Sequence, residues 1–390
     1  MCNETYQAAE LPLQVTAKPD VTYLDYFGLF MQRCQFTKEF SHLLSDLLPL
    51  IEMCAPLREA TIAIGALEAS RRATVNFASE RKSPHTVALG SYGKSIQKLQ
   101  LQLQSSDAMP CEGVLWCTLL LGLFEKLMTQ ISGDQWANHM LYGTSRILQS
   151  FGTPRLINKL GKQFFGAFNW LEVNRAILYS DDTILSQEKW RKYHEHLPST
   201  GQDRVDEIFE LFVQVSSFSK MFFDQIEDIP KQLRRSHPGI RSLAQEGCMY
   251  QRRLQDWHEQ MLEHGNWLDG DCKLALIIYH ALQLFVCMNY TFYTCWDEDS
   301  IPTLTTDEIE SHVSTVTSQA TELLESSSIP GILLLFPLRM AGANANSPFH
   351  KDRIIRLLER ISETGFVVSK RIAVDLDEIW AYKALLNIEG

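Results

Sequence analysis

The sequence predicts an all-α protein, a single large multi-helix domain of antiparallel helices around a buried central helix. Three observations carry this. Apolar residues recur at spacings of three and four along most of the chain, as in "LREATIAIGALEAS", "VLWCTLLLGLFEKLM" and "DRIIRLLERI". Strict apolar–polar alternation is rare, and no hairpin pair joins two alternating runs; Asp269-Gly270 stands between helical patterns instead. The breaks fall around Pro84, Pro110, Gly152-Thr153-Pro154, Pro198 to Gly201, Pro238-Gly239, Pro302, Pro330 and Pro348, and all are short. Composition shifts at none of them, and no repeat of solenoid period appears. Residues 1–20 read as a lead segment and 21–390 as the helical domain.

Taken in order, the elements justify themselves locally. Thr22 and Asp25 have the spacing of a capping box ahead of "YLDYFGLFMQRC", and Thr305 with Glu308 repeats it ahead of "EIESHVSTVTSQATELLE". In "ALGSYGKSIQKLQLQL", Gly93-Lys94-Ser95 has the ending of a phosphate-binding loop. Such a loop needs a glycine five residues before its Gly-Lys pair and a preceding buried strand; Ala88 stands at that position and "ASERKSPHTV" comes before it. Tyr92, Ile96 and Leu99 instead form the apolar face of a helix, with Lys94 and Lys98 on its wet side. The longest apolar stretch, Leu274 to Trp296, could span a bilayer by length. His280, Gln283 and Asn289 fall along it and no positive cluster flanks it, so it reads as the central helix, buried on most sides. The N-terminus has neither the basic flank nor the apolar run of a secretory signal.

Composition narrows the function classes. The 390 residues carry 36 Lys and Arg against 47 Asp and Glu, a net charge of −11, with 45% hydrophobic residues. That supports a large core and disfavours a nucleic-acid or anionic-lipid surface, the densest basic run being the short Lys231 to His237. The nine cysteines include no Cys-x-x-Cys pair, so a disulfide scaffold, a zinc ribbon and an iron–sulfur site all lack their signature. Cys117, in "VLWCTLLL", typifies small buried hydrophobes in a reducing compartment.

Catalytic motifs are also missing. His258-Glu259 has Leu262 where a zinc-protease helix needs its second histidine, and Asp181-Asp182 has Leu185 where an aspartate-rich magnesium site needs a further acid. There is no Gly-x-Ser-x-Gly elbow. No cofactor or metal is expected, and the balance leans away from an enzyme. What stands out is polar residues inside apolar helices: Glu125, His139, Arg146, Glu172 and Arg175. A buried charge must be paired or bound, because leaving it alone costs several kcal/mol. Mutual pairing that locks the helices is the favoured reading. The alternative lines a ligand site, with Trp116, Trp136, Arg146, Phe168, Trp170 and His280 as binding candidates. Were the protein an enzyme, His139, Glu125, Glu172 and Arg175 would be the acid–base candidates, since desolvation tunes such groups towards neutral pH.

The same helices in order resemble the regulatory, or middle-homology, domain of fungal-specific transcription factors, from about Tyr23 to Trp380. The landmarks are "APLREATIAIGALEAS", the Tyr-containing "ALGSYGKSIQKLQLQL", and the apolar "VLWCTLLLGLFEKLM" ending in Glu before the His-containing "WANHMLYGTSRILQSFG". There follow "FFGAFNWLEVNRAILYSDDTILSQEKW" with its Leu-Ser and tryptophan, and "LLLFPLRMAGANANSPFHKDRIIRLLERI" through "LDEIWAYK", with an Ala-Gly turn and a terminal Trp. The resemblance implies a nuclear or cytoplasmic, transcription-associated module acting through protein partners of the transcription machinery or a small-molecule effector, off the membrane and compatible with a homodimer. The family's six-cysteine zinc cluster has no counterpart before Tyr23, where Cys2 stands alone, so specific DNA binding is not expected. The alternative is a fold recruited as a small-molecule-binding protein or enzyme of fungal secondary metabolism.

Overall fold

The computed structural model describes residues 19–38, 40–72, 83–104, 111–128, 143–195, 203–264, 269–296 and 301–389. Among the described residues there are fifteen α-helices and no strand. The first five are α1 (Pro19–Arg33), α2 (Leu43–Met53), α3 (Ala55–Arg71), α4 (Pro84–Gln104) and α5 (Glu112–Met128). Then come α6 (143–151), α7 (Lys159–Tyr179), α8 (Glu188–Glu195), α9 (Asp203–Asp228) and α10 (Pro238–His264). The last five are α11 (Gly270–Thr291), α12 (Thr306–Ser326), α13 (Leu335–Asn344), α14 (Pro348–Glu363) and α15 (Ser369–Glu389).

Proline opens many of these helices. Pro19, Pro84, Pro238 and Pro348 are first residues, where the missing N–H would have no partner anyway and the fixed φ already suits a helix. This corrects one expectation. Because α1 starts at Pro19, Thr22 and Asp25 lie within its first turns and cap nothing. The second capping box is present: the Glu308 backbone N–H donates to Thr305 Oγ1 (3.3 Å), and the Thr305 N–H donates back to the Glu308 carboxylate (2.7 Å). Asp269, placed between two helical patterns, caps α11 by accepting from the Asp271 N–H at 3.0 Å.

Gly90, Gly93 and Lys94 lie inside α4, so Gly93-Lys94-Ser95 forms no loop. Ser95 turns inward to the Pro56 carbonyl (2.7 Å), Lys94 is exposed, and Lys98 pairs with Glu59 (2.6 Å).

α3 packs on α1, α4 and α5, while α11 packs on α9, α10, α12 and α13. Between these groups, α7 touches α2, α5, α9 and α13. α1 crosses α3 at close range. A Cβ at Gly65 would lie 1.9 Å from the Tyr23 carbonyl oxygen, so only glycine lets the two backbones meet. α11 is the central helix the sequence predicts. It alone among the described residues is long and apolar enough to cross a membrane, yet 89% of its apolar window is buried within the protein. α5 plays the same part in the first half, with nearly every side chain from Gly113 to Leu127 buried.

The chain's end is tied to its beginning. Arg71, the last residue of α3, donates through Nη2 to the Leu127 carbonyl (3.1 Å) and the Gly365 carbonyl (2.7 Å). The Val368 N–H donates to the Lys126 carbonyl at 3.3 Å. Ala341-Gly342 is not the turn the resemblance implied. Both residues are helical within α13, where a Cβ on Gly342 would meet Leu376 at 2.5 Å, so the glycine admits α15 instead of bending the chain. The Trp380 indole N–H then donates to the Gly342 carbonyl at 2.8 Å.

Candidate functional site

Two polar clusters lie inside this apolar scaffold. The first is built on α5 and α7. Glu172 and Arg175 sit one turn apart on α7 with their side chains each 1% exposed, and they make a bidentate pair: Nε to Oε2 and Nη2 to Oε1, both 2.9 Å. Arg175 Nη1 also donates to Asp181 (2.5 Å) and Nη2 to the Asp182 carbonyl (2.8 Å), so the loop after α7 is folded back onto its own helix. Ser180, the C-cap at φ 49°, makes that reversal. Burial pushes the Glu172 carboxyl up against the pull of Arg175. Burial also works against the guanidinium, but Glu172 and Asp181 outweigh it and hold Arg175 above its ordinary range.

Glu125 is half-buried at the end of α5 and accepts from the Tyr92 hydroxyl at 2.5 Å. That bond joins two landmarks of the sequence, the Tyr-containing helix and the apolar helix ending in Glu. The Tyr92 ring stacks on Phe124 at 4.7 Å. Its neighbour Lys126, not singled out by sequence, is the more deeply buried. Burial and the nearby Arg175 drive its ammonium well below the usual lysine range, with Glu125 opposing.

The remaining candidates divide. Trp116 and Phe168, both fully buried, belong to one aromatic cluster through Phe164, which meets Trp116 edge-on at 5.7 Å and stacks on Phe168 at 6.0 Å. The Trp116 indole N–H has no acceptor among the described residues. Trp170 faces away, edge-on to Phe209 of α9 at 4.9 Å. Arg146 is exposed on α6, because its helix buries Thr144, Ser145 and Leu148 instead. His139 and Trp136 lie outside the described residues.

The second cluster gathers around His280 and was legible in sequence only through that one residue. His258 of α10, His280 of α11 and His312 of α12 converge, with the Nδ1 atoms of His280 and His312 at 2.6 Å. One ring must donate and the other accept, so the two hold opposite tautomers. Tyr279 stacks on His258 at 4.3 Å, and His258 meets His280 edge-on at 5.6 Å. Burial lowers all three imidazoles; His280 lies well below the usual range and His312 falls to about 4. Among the described residues no group of three or more His, Cys, Asp or Glu side chains is arranged to hold a metal ion.

Fold and interior together define a class: an all-α domain that buries a matched Glu172–Arg175 ion pair and packs three imidazoles, His258, His280 and His312, where its helices meet. The family model for the fungal specific transcription factor domain matches residues 23–386, and the chain belongs to that family. Membership supports a role in transcription regulation. No curated protein and no solved structure matches the chain.

Proposed function

We propose that the chain is a regulatory module of transcription that works in the nucleus through protein partners and an interior effector, without reading DNA sequence itself. The family match across 23–386 carries this reading. Two physical features support it. A net charge of −11 opposes the phosphate backbone over the surface as a whole. The strongest acid–base candidates, Glu172 and Arg175, spend their hydrogen bonds on each other and on the loop at Asp181 and Asp182, which suits packing better than proton transfer. The effector reading is favoured by Trp116, whose buried indole N–H has no acceptor among the described residues.

The test tethers the whole chain to an unrelated DNA-binding domain upstream of a reporter in a fungal host. A several-fold change in reporter output that requires the tether is the expected result. Unchanged output, or saturable sequence-selective binding of a duplex by the untethered chain at physiological salt, overturns the proposal.

A further inference from the structure

Two helices of the first half begin at the same place. Cys54 is the N-cap of α3, its carbonyl accepting from the Arg58 N–H at 3.0 Å. Cys111 immediately precedes α5, its carbonyl accepting from the Val114 N–H at 2.9 Å. The two thiols meet over Gly113: a Cβ there would lie 3.0 Å from Cys54 Sγ and 3.8 Å from Cys111 Sγ. Only a residue without a side chain leaves room for both sulfurs. The two thiols face each other across Gly113, and Gln102 Nε2 lies 3.8 Å from Cys111 Sγ. Cys54 is buried and Cys111 is exposed, so an oxidant from solvent reaches one sulfur and finds the second waiting behind it.

We propose that Cys54 and Cys111 form a reversible disulfide in which exposed Cys111 reacts first with a peroxide and buried Cys54 resolves it. The Cys111 thiolate attacks one peroxide oxygen; the O–O bond breaks, the leaving hydroxide takes a proton to become water, and Cys111 becomes a sulfenic acid, oxidised by two electrons. The Cys54 sulfur then attacks the Cys111 sulfur. The S–S bond forms, the S–O bond breaks, and the hydroxyl leaves as a second water with the proton of Cys54. The local electrostatics favour this order. The hydrogen bond from Cys54, with those from the Val114 and Gly113 backbone, holds the Cys111 thiol below its ordinary range, while the same contact and burial raise Cys54. Three further buried cysteines, Cys34, Cys117 and Cys287, are pushed up to about 12 by burial, which disfavours their thiolates. Once formed, the bond would clip the start of α3 to the start of α5 and close the segment containing α4 into a loop.

The experiment treats the folded full chain with hydrogen peroxide, blocks free thiols with N-ethylmaleimide, and maps peptides by mass spectrometry. The expected product is one crosslinked peptide pair joining Cys54 to Cys111, with a loss of two hydrogens, reversed by dithiothreitol. In Cys54→Ser the reaction should stop at a Cys111 sulfenic acid that dimedone captures; in Cys111→Ser no Cys54 oxidation should appear. Circular dichroism establishes that each variant is folded. Should the wild-type chain yield Cys111 sulfinic acid with Cys54 still open to maleimide on unfolding, or pair Cys111 with another cysteine, or leave Cys111 reduced, the proposal is overturned.

Discussion

The α5–α7 cluster and the α10–α12 cluster solve the same problem in opposite ways. In the first, polar groups are buried as ions: Glu172 and Arg175 face each other in a bidentate pair and Asp181 completes the guanidinium. In the second, three buried or half-buried imidazoles and a phenol stack on one another, His280 and His312 are joined by a hydrogen bond, and burial lowers all three rings. Matched ions fail when one partner is removed. Imidazoles lowered by burial fail in acid, which ionises them in the unfolded chain first.

The largest effect expected from this contrast is that of Arg175→Ala. It strands the Glu172 carboxylate in the core and releases the loop at Asp181, and should cost about 3–5 kcal/mol in urea unfolding. The paired change Glu172→Leu with Arg175→Met should recover much of that loss, because no lone charge is then left buried. A cost below about 1 kcal/mol for the single variant would place the pair with surface ion pairs and break the contrast.

Next comes acid. The folded imidazoles of His258, His280 and His312 are lowered, His312 to about 4, while in the unfolded chain such groups titrate near the ordinary value of about 6.5. Between those values the unfolded state binds more protons. Their stabilising contribution is therefore complete above about 6.5 and is lost as the pH falls towards about 4, by up to about 1.4 kcal/mol per pH unit for each proton taken up. Urea unfolding in steps from neutral to mildly acidic pH measures that slope, and His312→Gln should flatten it. Glu308 and Glu259 face this cluster and oppose the lowering, so they set how far down the window extends. An unaltered slope in His312→Gln would mean the acid sensitivity resides elsewhere.

The smallest effect sharpens the second cluster alone. Thr305→Ala removes the cap of α12 and should cost about 1 kcal/mol. It also removes the hydroxyl that donates to the Glu308 carboxylate at 2.8 Å, one turn before His312 on the same helix. The His312 resonance, followed by NMR titration, should move in the variant and stay fixed if the cap and the imidazole are uncoupled.

Much of this was readable beforehand, for reasons that differ by residue. Helical periodicity over α3, α5 and α14 needs only local spacing, and Glu172 with Arg175 was visible as opposite charges one turn apart on an apolar helix. Lys126 was missed because a lysine in the last turn of a helix normally points to water and suits the helix dipole. Here the segment just before α15 reaches its backbone, the Val368 N–H donating to the Lys126 carbonyl, and the side chain is buried. His258 and His312 were missed because nothing local links them to His280; only the packing of α10 and α12 on α11 does. Thr22 misled because Pro19 starts its helix earlier, and Ala341-Gly342 misled because a small pair signals a turn and a close helix contact equally well.

The tie between Arg71 and Gly365 has a consequence for how the protein is made. A ribosome delivers α3 and α5 long before α14 and α15, yet Arg71 satisfies its guanidinium on a carbonyl that arrives 294 residues later. The first half therefore emerges with a cationic side chain and a helix end awaiting partners, and a nascent chain halted short of Gly365 lacks the piece that closes it. Such late, long-range closure slows folding and prolongs the exposure of apolar helices. Closure of this contact thus waits until nearly the last residues have left the exit tunnel.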